Sequence, residues 1–161
     1  MKKVLVIALV LLLSISTVFA ASYKGASEKN SFSIGLNLGT NSGVVVNYGM
    51  GKFDIEGIVG FGLFNKSLDA EVAFNYAILD IAKSCKFDGY MPLTVGGEAY
   101  LSTDFNFFGV GGLVPVKIAY TFPKFPMTLY FRVAPGVFFD LTPNQDVKFG
   151  IHASLGATYN F

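Results

Sequence analysis

The chain reads as an all-β protein, specifically an eight-stranded antiparallel up-and-down transmembrane β-barrel, on three observations. The first is strict alternation in residues 147–161. Val147, Phe149, Ile151, Ala153, Leu155, Ala157, Tyr159 and Phe161 are apolar, while Lys148, Gly150, His152, Ser154, Gly156, Thr158 and Asn160 are polar or glycine. A strand sends successive side chains to opposite faces, so this segment has one apolar and one polar face. The second is that seven earlier segments repeat the pattern, each near the ~9–11 residues a tilted membrane strand needs. The third is an export leader at the N-terminus.

The leader comes first in the chain. Lys2 and Lys3 form a positive start, Val4 to Leu13 is an apolar run, and Val18-Phe19-Ala20 is a small-residue cleavage pattern. Cleavage is expected between Ala20 and Ala21. The apolar run is shorter than the ~20 residues of a membrane helix, so residues 1–20 are read as a cleaved signal peptide rather than an anchor. Residues 21–30 form a short lead-in, and residues 31–161 form the barrel.

The segments then follow in order. Phe32, Ile34, Leu36 and Leu38 alternate with Ser33, Gly35, Asn37 and Gly39. Val44, Val46, Tyr48 and Met50 oppose Gly43, Asn47 and Gly49, with Val45 as an exception. Phe53, Ile55, Val59 and Phe61 oppose Asp54, Glu56, Gly60 and Gly62. Leu68, Val72, Phe74, Tyr76 and Ile78 oppose Asp69, Glu71 and Asn75. Leu93, Val95, Ala99 and Leu101 oppose Thr94, Gly96, Glu98 and Tyr100. Val110, Val114, Val116, Ile118 and Tyr120 oppose Gly109, Gly111, Lys117 and Thr121. Leu129, Phe131, Val133, Val137 and Phe139 oppose Thr128, Tyr130, Arg132, Gly136 and Asp140. The segment over 147–161 is the eighth.

Glycine- and Asn-rich punctuation separates most of these segments, and two prolines interrupt residues 122–127. Short turns imply pairing between sequence neighbours, and closure removes the unpaired edge that hydrocarbon forbids. A soluble lipocalin-like periplasmic binder would instead turn its apolar face inward. The polar face here is small (Gly, Ser, Asn) and the apolar face is bulky and aromatic, which suits a narrow interior and a lipid exterior.

Composition excludes other classes. Without Lys2 and Lys3, ten basic side chains face eleven acidic ones, a net charge of −1, so no nucleic-acid partner is expected. Cys85 is the single cysteine, which excludes an internal disulfide. No phosphate-binding loop or metal-ligand spacing is evident, and no cofactor and no metal are expected.

At its C-terminal end the chain resembles the small outer-membrane barrels of the OmpA/OmpX type. Ser154, Gly156, Tyr159 and Phe161 match the polar-x-Gly-x-x-aromatic-x-aromatic insertion signal of those proteins. The resemblance implies residence in the bacterial outer membrane, contact with its lipid, and delivery by periplasmic chaperones to the barrel-assembly machinery. It implies both termini in the periplasm, which puts residues 39–42, 64–67, 102–107 and 141–146 outside. The longest connection, residues 79–91, then falls on the periplasmic side, against the usual pattern. Either residues 81–87 form a small ordered cap or one strand is miscounted.

The polar face carries charge. Glu56, Glu98, Lys117 and Arg132 fall at similar depths, with Glu98 expected beside Lys117. Buried charges must pair. An interior ion-pair cluster of Glu98, Lys117 and Arg132, completed by Glu56 or Glu71, is therefore expected to plug the lumen. His152-Ala153-Ser154 resembles the His-x-Ser arrangement of outer-membrane lipid A deacylases, but it sits on the lumenal face near mid-membrane and reads as packing. The expectation is a monomeric, non-enzymatic envelope protein with a structural or surface-interaction role. The alternatives are a narrow channel for small solutes, a lipid-modifying enzyme and the soluble binder.

Overall fold

Alternation becomes architecture in strand β1 (Ser31–Gly39), where Ser33 and Asn37 are buried while Leu36 and Leu38 are more than half exposed. The computed structural model describes residues 31–63, 66–86, 88–104, 108–141 and 147–161. The expected leader, its Ala20–Ala21 cleavage point and the lead-in lie outside the described residues. The remaining elements are β2 (Asn41–Met50), β3 (Phe53–Gly62), β4 (Leu68–Asp80), helix α1 (Ile81–Cys85), β5 (Pro92–Thr103), β6 (Phe108–Leu113), β7 (Val116–Thr121), β8 (Met127–Asp140) and β9 (Val147–Asn160).

Every pairing is antiparallel, and the sheet closes on itself where Ser33 to Gly39 of β1 meet Asn160 to Ser154 of β9. The nine segments occupy eight places in this ring. β6 and β7 share one place, both lying between β5 and β8. Pro115 causes the split, because its nitrogen has no proton to donate to the ladder. The register nevertheless runs through it. Glu98 faces Leu113 and Val95 faces Val116, and the Gly96 nitrogen donates to the Pro115 carbonyl at 3.0 Å. On the other side the Val114 nitrogen donates to the Pro135 carbonyl at 2.8 Å.

Turn chemistry fixes the strand ends. Gly51, at φ 66°, supplies the left-handed backbone of the two-residue turn between β2 and β3. Between β4 and β5 the chain forms the ordered cap. Asp80 accepts the Lys83 N–H as helix N-cap, Lys86 ends α1 in the left-handed conformation, and Ala82 is buried beneath it. The ring keeps the eight places expected from the sequence. A register shift between Ala77 and Leu79 marks where β4 bends toward this cap. No helix among the described residues is long and apolar enough to cross a membrane.

The polarity is inverted relative to a water-soluble sheet protein. Inside the ring lie Asn37, Asn41, Glu56, Asp69, Glu71, Asn75, Glu98, Lys117, Arg132 and Ser154, all buried. Outside lie Leu36, Val59, Phe61, Phe74, Phe149 and Leu155, each more than half exposed. Among the described residues, two small apolar clusters occupy the interior, around Val45, Ile58, Ala119 and Tyr130, and around Tyr100, Leu113 and Ala134.

Candidate functional site

Arg132 is the largest fully buried side chain among the described residues, and the site is built around it. An alternating strand leaves β8 no choice of face: with Phe131 and Val133 outside, Arg132 must point in. Its guanidinium Nη1 donates to Glu98 Oε2 at 2.8 Å and to Glu56 Oε1 at 3.4 Å, and Nη2 donates to Glu71 Oε2. One fork therefore gathers carboxylates from β3, β4 and β5, the geometry for which arginine is suited.

Lys117 on β7 is the Cα partner of Arg132, and it extends the cluster toward the end of the ring that carries α1. Its Nζ donates to Glu56 Oε2 at 2.8 Å and to Asp54 Oδ1 at 3.1 Å. Asn47 and Asn75 also donate to Asp54 Oδ1, at 2.9 and 2.8 Å. On the far side of Arg132, His152 Nδ1 lies 2.8 Å from Glu71 Oε1. The Tyr100 ring meets the imidazole edge-on, and Phe138 covers it at 5.0 Å. Isolated buried charges cost several kcal/mol each, so this density of partners is what lets the cluster exist.

The five residues expected to form the cluster, Glu56, Glu71, Glu98, Lys117 and Arg132, are brought together, and both Glu56 and Glu71 complete it. One neighbour relation needs correction. Glu98 bonds Arg132, whereas the residue of β5 opposite Lys117 is Thr94. Strand stagger displaces Glu98 to the level of Leu113. Asp54 and His152 were not expected in the network. Parity already placed both on the polar face, so their signal was present, but contacts across the ring cannot be read from one strand at a time.

His152 and Ser154 do share the interior, as alternation requires, yet Ser154 Oγ has no hydrogen-bond partner and the imidazole is held by Glu71 of β4. A serine–imidazole bond is thus not formed. Glu71, Glu98 and His152 do offer ligand atoms that lie within 4.8 Å of one another. Beside them opens a vestibule of about 520 Å³ with Asp69, Tyr100, Ser102, Asp140, Lys148 and His152 in its wall. Asp69 Oδ1 accepts both the Ser67 and the Ser102 hydroxyls at 2.7 Å.

The residues of the insertion signal take distinct places. Ser154 and Gly156 point inward, and Tyr159 points outward. Gly156 lies under the Tyr130 ring: a Cβ there would stand 2.1 Å from Tyr130 Cζ. This close approach lets the Tyr130 hydroxyl pass over β9 and donate to Asn37 Oδ1 on β1 at 2.7 Å. Phe161 rests against Phe32 and Tyr159, and its N–H donates to the Phe32 carbonyl at 2.9 Å. Cys85 is a free, exposed thiol at the end of α1. Comparison of the chain with protein-family models, curated proteins and solved structures returned no match.

Proposed function

We propose that this ring is an eight-stranded up-and-down β-barrel spanning the bacterial outer membrane, similar to small OmpA/OmpX-type proteins. On this reading it is a monomeric, non-enzymatic envelope protein whose lumen is plugged by the Arg132 cluster. The carrying observation is the inverted polarity. Arg132 is 2% exposed while Phe149 is 86% exposed, and exposed large apolar side chains stand on the outside of every strand. In water such an exterior would be one continuous apolar patch far beyond the few hundred Å² a soluble monomer tolerates. In lipid it is the expected outer band, and ring closure leaves no strand edge unsatisfied. A soluble binder would require the opposite arrangement.

The connections favour an integrity role over adhesion. Those at the Thr40 end are short: residue 40, residues 63–67, 104–107 and 141–146. Adhesion needs exposed loop surface. Delivery by chaperones to the assembly machinery follows from the resemblance of residues 154–161 to the insertion signal. The narrow-channel alternative draws on the vestibule, which opens part of the interior beside His152. The plug is the stronger reading because Glu56, Glu71 and Glu98 converge with a lysine and a guanidinium across the middle of an eight-stranded bore.

Fractionation with a heat-shift assay tests the proposal. The unheated protein should run faster than the boiled one in detergent gels and should resist carbonate extraction from outer-membrane fractions. Release by carbonate or salt overturns the membrane assignment. Refolded protein in planar bilayers should be electrically silent; a stable unitary conductance would replace the plug with the narrow channel.

A further inference from the structure

The interior charges do not balance. Asp54, Glu56, Glu71 and Glu98 supply four carboxylates to the network, against one lysine and one arginine. Counted as formal charges, with every carboxylate ionised, the cluster is short of two positive charges. The deficit has an address. Glu98 has a wholly buried side chain, and Arg132 takes its Oε2, but its Oε1 has no partner. A buried oxygen left unsatisfied carries its full desolvation cost.

We propose that Glu71, Glu98 and His152 form a binding site for one divalent transition ion of the Zn²⁺ class, reached from the vestibule. The three side chains come from β4, β5 and β9 and converge on one point, with ligand atoms within 4.8 Å of one another. Donors on a single ion with bonds of about 2.1 Å stand roughly 3–4 Å apart, so only a small closure is required. His152 Nδ1 and Glu71 Oε1, at 2.8 Å, are already near that separation. Arg132 secures the other oxygen of each glutamate, Oε2 of Glu71 and Oε2 of Glu98, and so orients both carboxylates toward the shared space. One divalent ion brings the cluster to neutrality. An imidazole with two carboxylates selects Zn²⁺ or its transition-metal neighbours over Ca²⁺ and Mg²⁺, which prefer all-oxygen shells. His152 also lines the vestibule, which gives the ion its route. The site does not depend on what surrounds the ring, so it stands or falls separately from the membrane assignment.

The test is calorimetric titration of chelator-stripped, refolded protein with ZnCl₂ and, separately, CaCl₂. A Cys85→Ser background removes the exposed thiol as a competing ligand. The expected result is one saturable Zn²⁺ per chain, no comparable Ca²⁺ binding, more than about tenfold weaker Zn²⁺ binding in His152→Gln, and none in Glu98→Gln. Folding of each variant is checked by its far-ultraviolet circular dichroism, which reads the β-sheet whatever surrounds it. If Glu98→Gln does not fold, His152→Gln decides. The absorption spectrum of Co²⁺ in the Cys85→Ser protein needs no change to the three ligands: intensified d–d bands are expected. An unaltered hexa-aqua Co²⁺ spectrum overturns the site. So do absence of saturable Zn²⁺ binding, equal Ca²⁺ binding, or undiminished Zn²⁺ affinity in His152→Gln.

Discussion

Replacing Arg132 with methionine should be the most damaging change of one interior side chain. The size follows from who keeps a partner. Glu56 retains Lys117 at 2.8 Å and Glu71 retains His152 at 2.8 Å, whereas Glu98 loses its charged partner. Stripping one partner from a buried ion pair costs about 3–5 kcal/mol, because the survivor stays buried without compensation. One fully stranded carboxylate therefore sets an expected loss near 4 kcal/mol, roughly a thousandfold in the folding equilibrium. Lys117→Met provides the internal scale. Asp54 keeps Asn47 and Asn75, and Glu56 keeps Arg132, so the loss there should be about 1–3 kcal/mol. Adding Glu98→Gln to Arg132→Met should restore a measurable part of the loss, since the two side chains act as a pair. Urea unfolding of refolded protein in vesicles gives these values. It can be followed by tyrosine fluorescence, as the chain has eight tyrosines and no tryptophan. Arg132→Met within about 0.5 kcal/mol of the parent protein would refute the claim that Arg132 holds the interior together.

Other substitutions probe the exterior, the strand seam and the insertion signal. Leu155, 60% exposed on β9 beside the level of Arg132, should lose about 2–4 kcal/mol on change to arginine in a bilayer; unchanged stability in vesicles would count against a lipid-facing surface. Gly156→Val must push Tyr130 off its bond to Asn37, at a cost of about 1–3 kcal/mol, while Gly112→Ala meets nothing within 4 Å and should be neutral. Comparable unfolding midpoints for the two variants would contradict the close approach of Gly156 and Tyr130. Phe161→Ala removes ring contacts to Phe32 and Tyr159 but keeps the backbone bond, so the refolded protein should lose only about 1 kcal/mol. Assembly in cells should nevertheless fail; normal assembly would sink the insertion-signal reading.

Local periodicity made the ring legible because one observable, the face of each residue, repeats without exception through most strands. Val45 is the exception in polarity, being apolar between apolar neighbours. The structure buries Val45 against Ile58, Ala119 and Tyr130, so its parity is correct and only its polarity is unusual. Pro115 was legible as a residue but not as an interruption, since periodicity registers side-chain direction and is blind to a missing N–H. The cap formed by α1 is only one of two readings the sequence allows, for a different reason. A five-residue helix has too few turns to show a period, and its signal is the Asp80 cap, a single side-chain bond.

The interior cluster shows where such a reading stops. Counting from strand ends ranks depth along each strand, but neighbouring strands are staggered, and β4 and β9 are not neighbours at all. Glu71 and His152 meet only because the ring brings opposite walls within side-chain reach, a contact that no pairing of adjacent strands contains. Parity alone nevertheless assigns Asp54, Glu56, Asp69, Glu71 and Glu98 to the inner face beside Lys117 and Arg132. The excess of carboxylates is therefore written in the sequence. Geometry adds how each is relieved. Asp69 is satisfied by two serine hydroxyls and Asp54 by two asparagine amides as well as Lys117. Glu56 and Glu71 each share a cation or an imidazole. Glu98 alone among the five retains a buried oxygen with nothing to accept from, beside an imidazole and a second carboxylate. An excess spread over five acids would need no single remedy; one concentrated at Glu98 Oε1 is relieved by a positive charge at that point, a proton or the proposed metal ion.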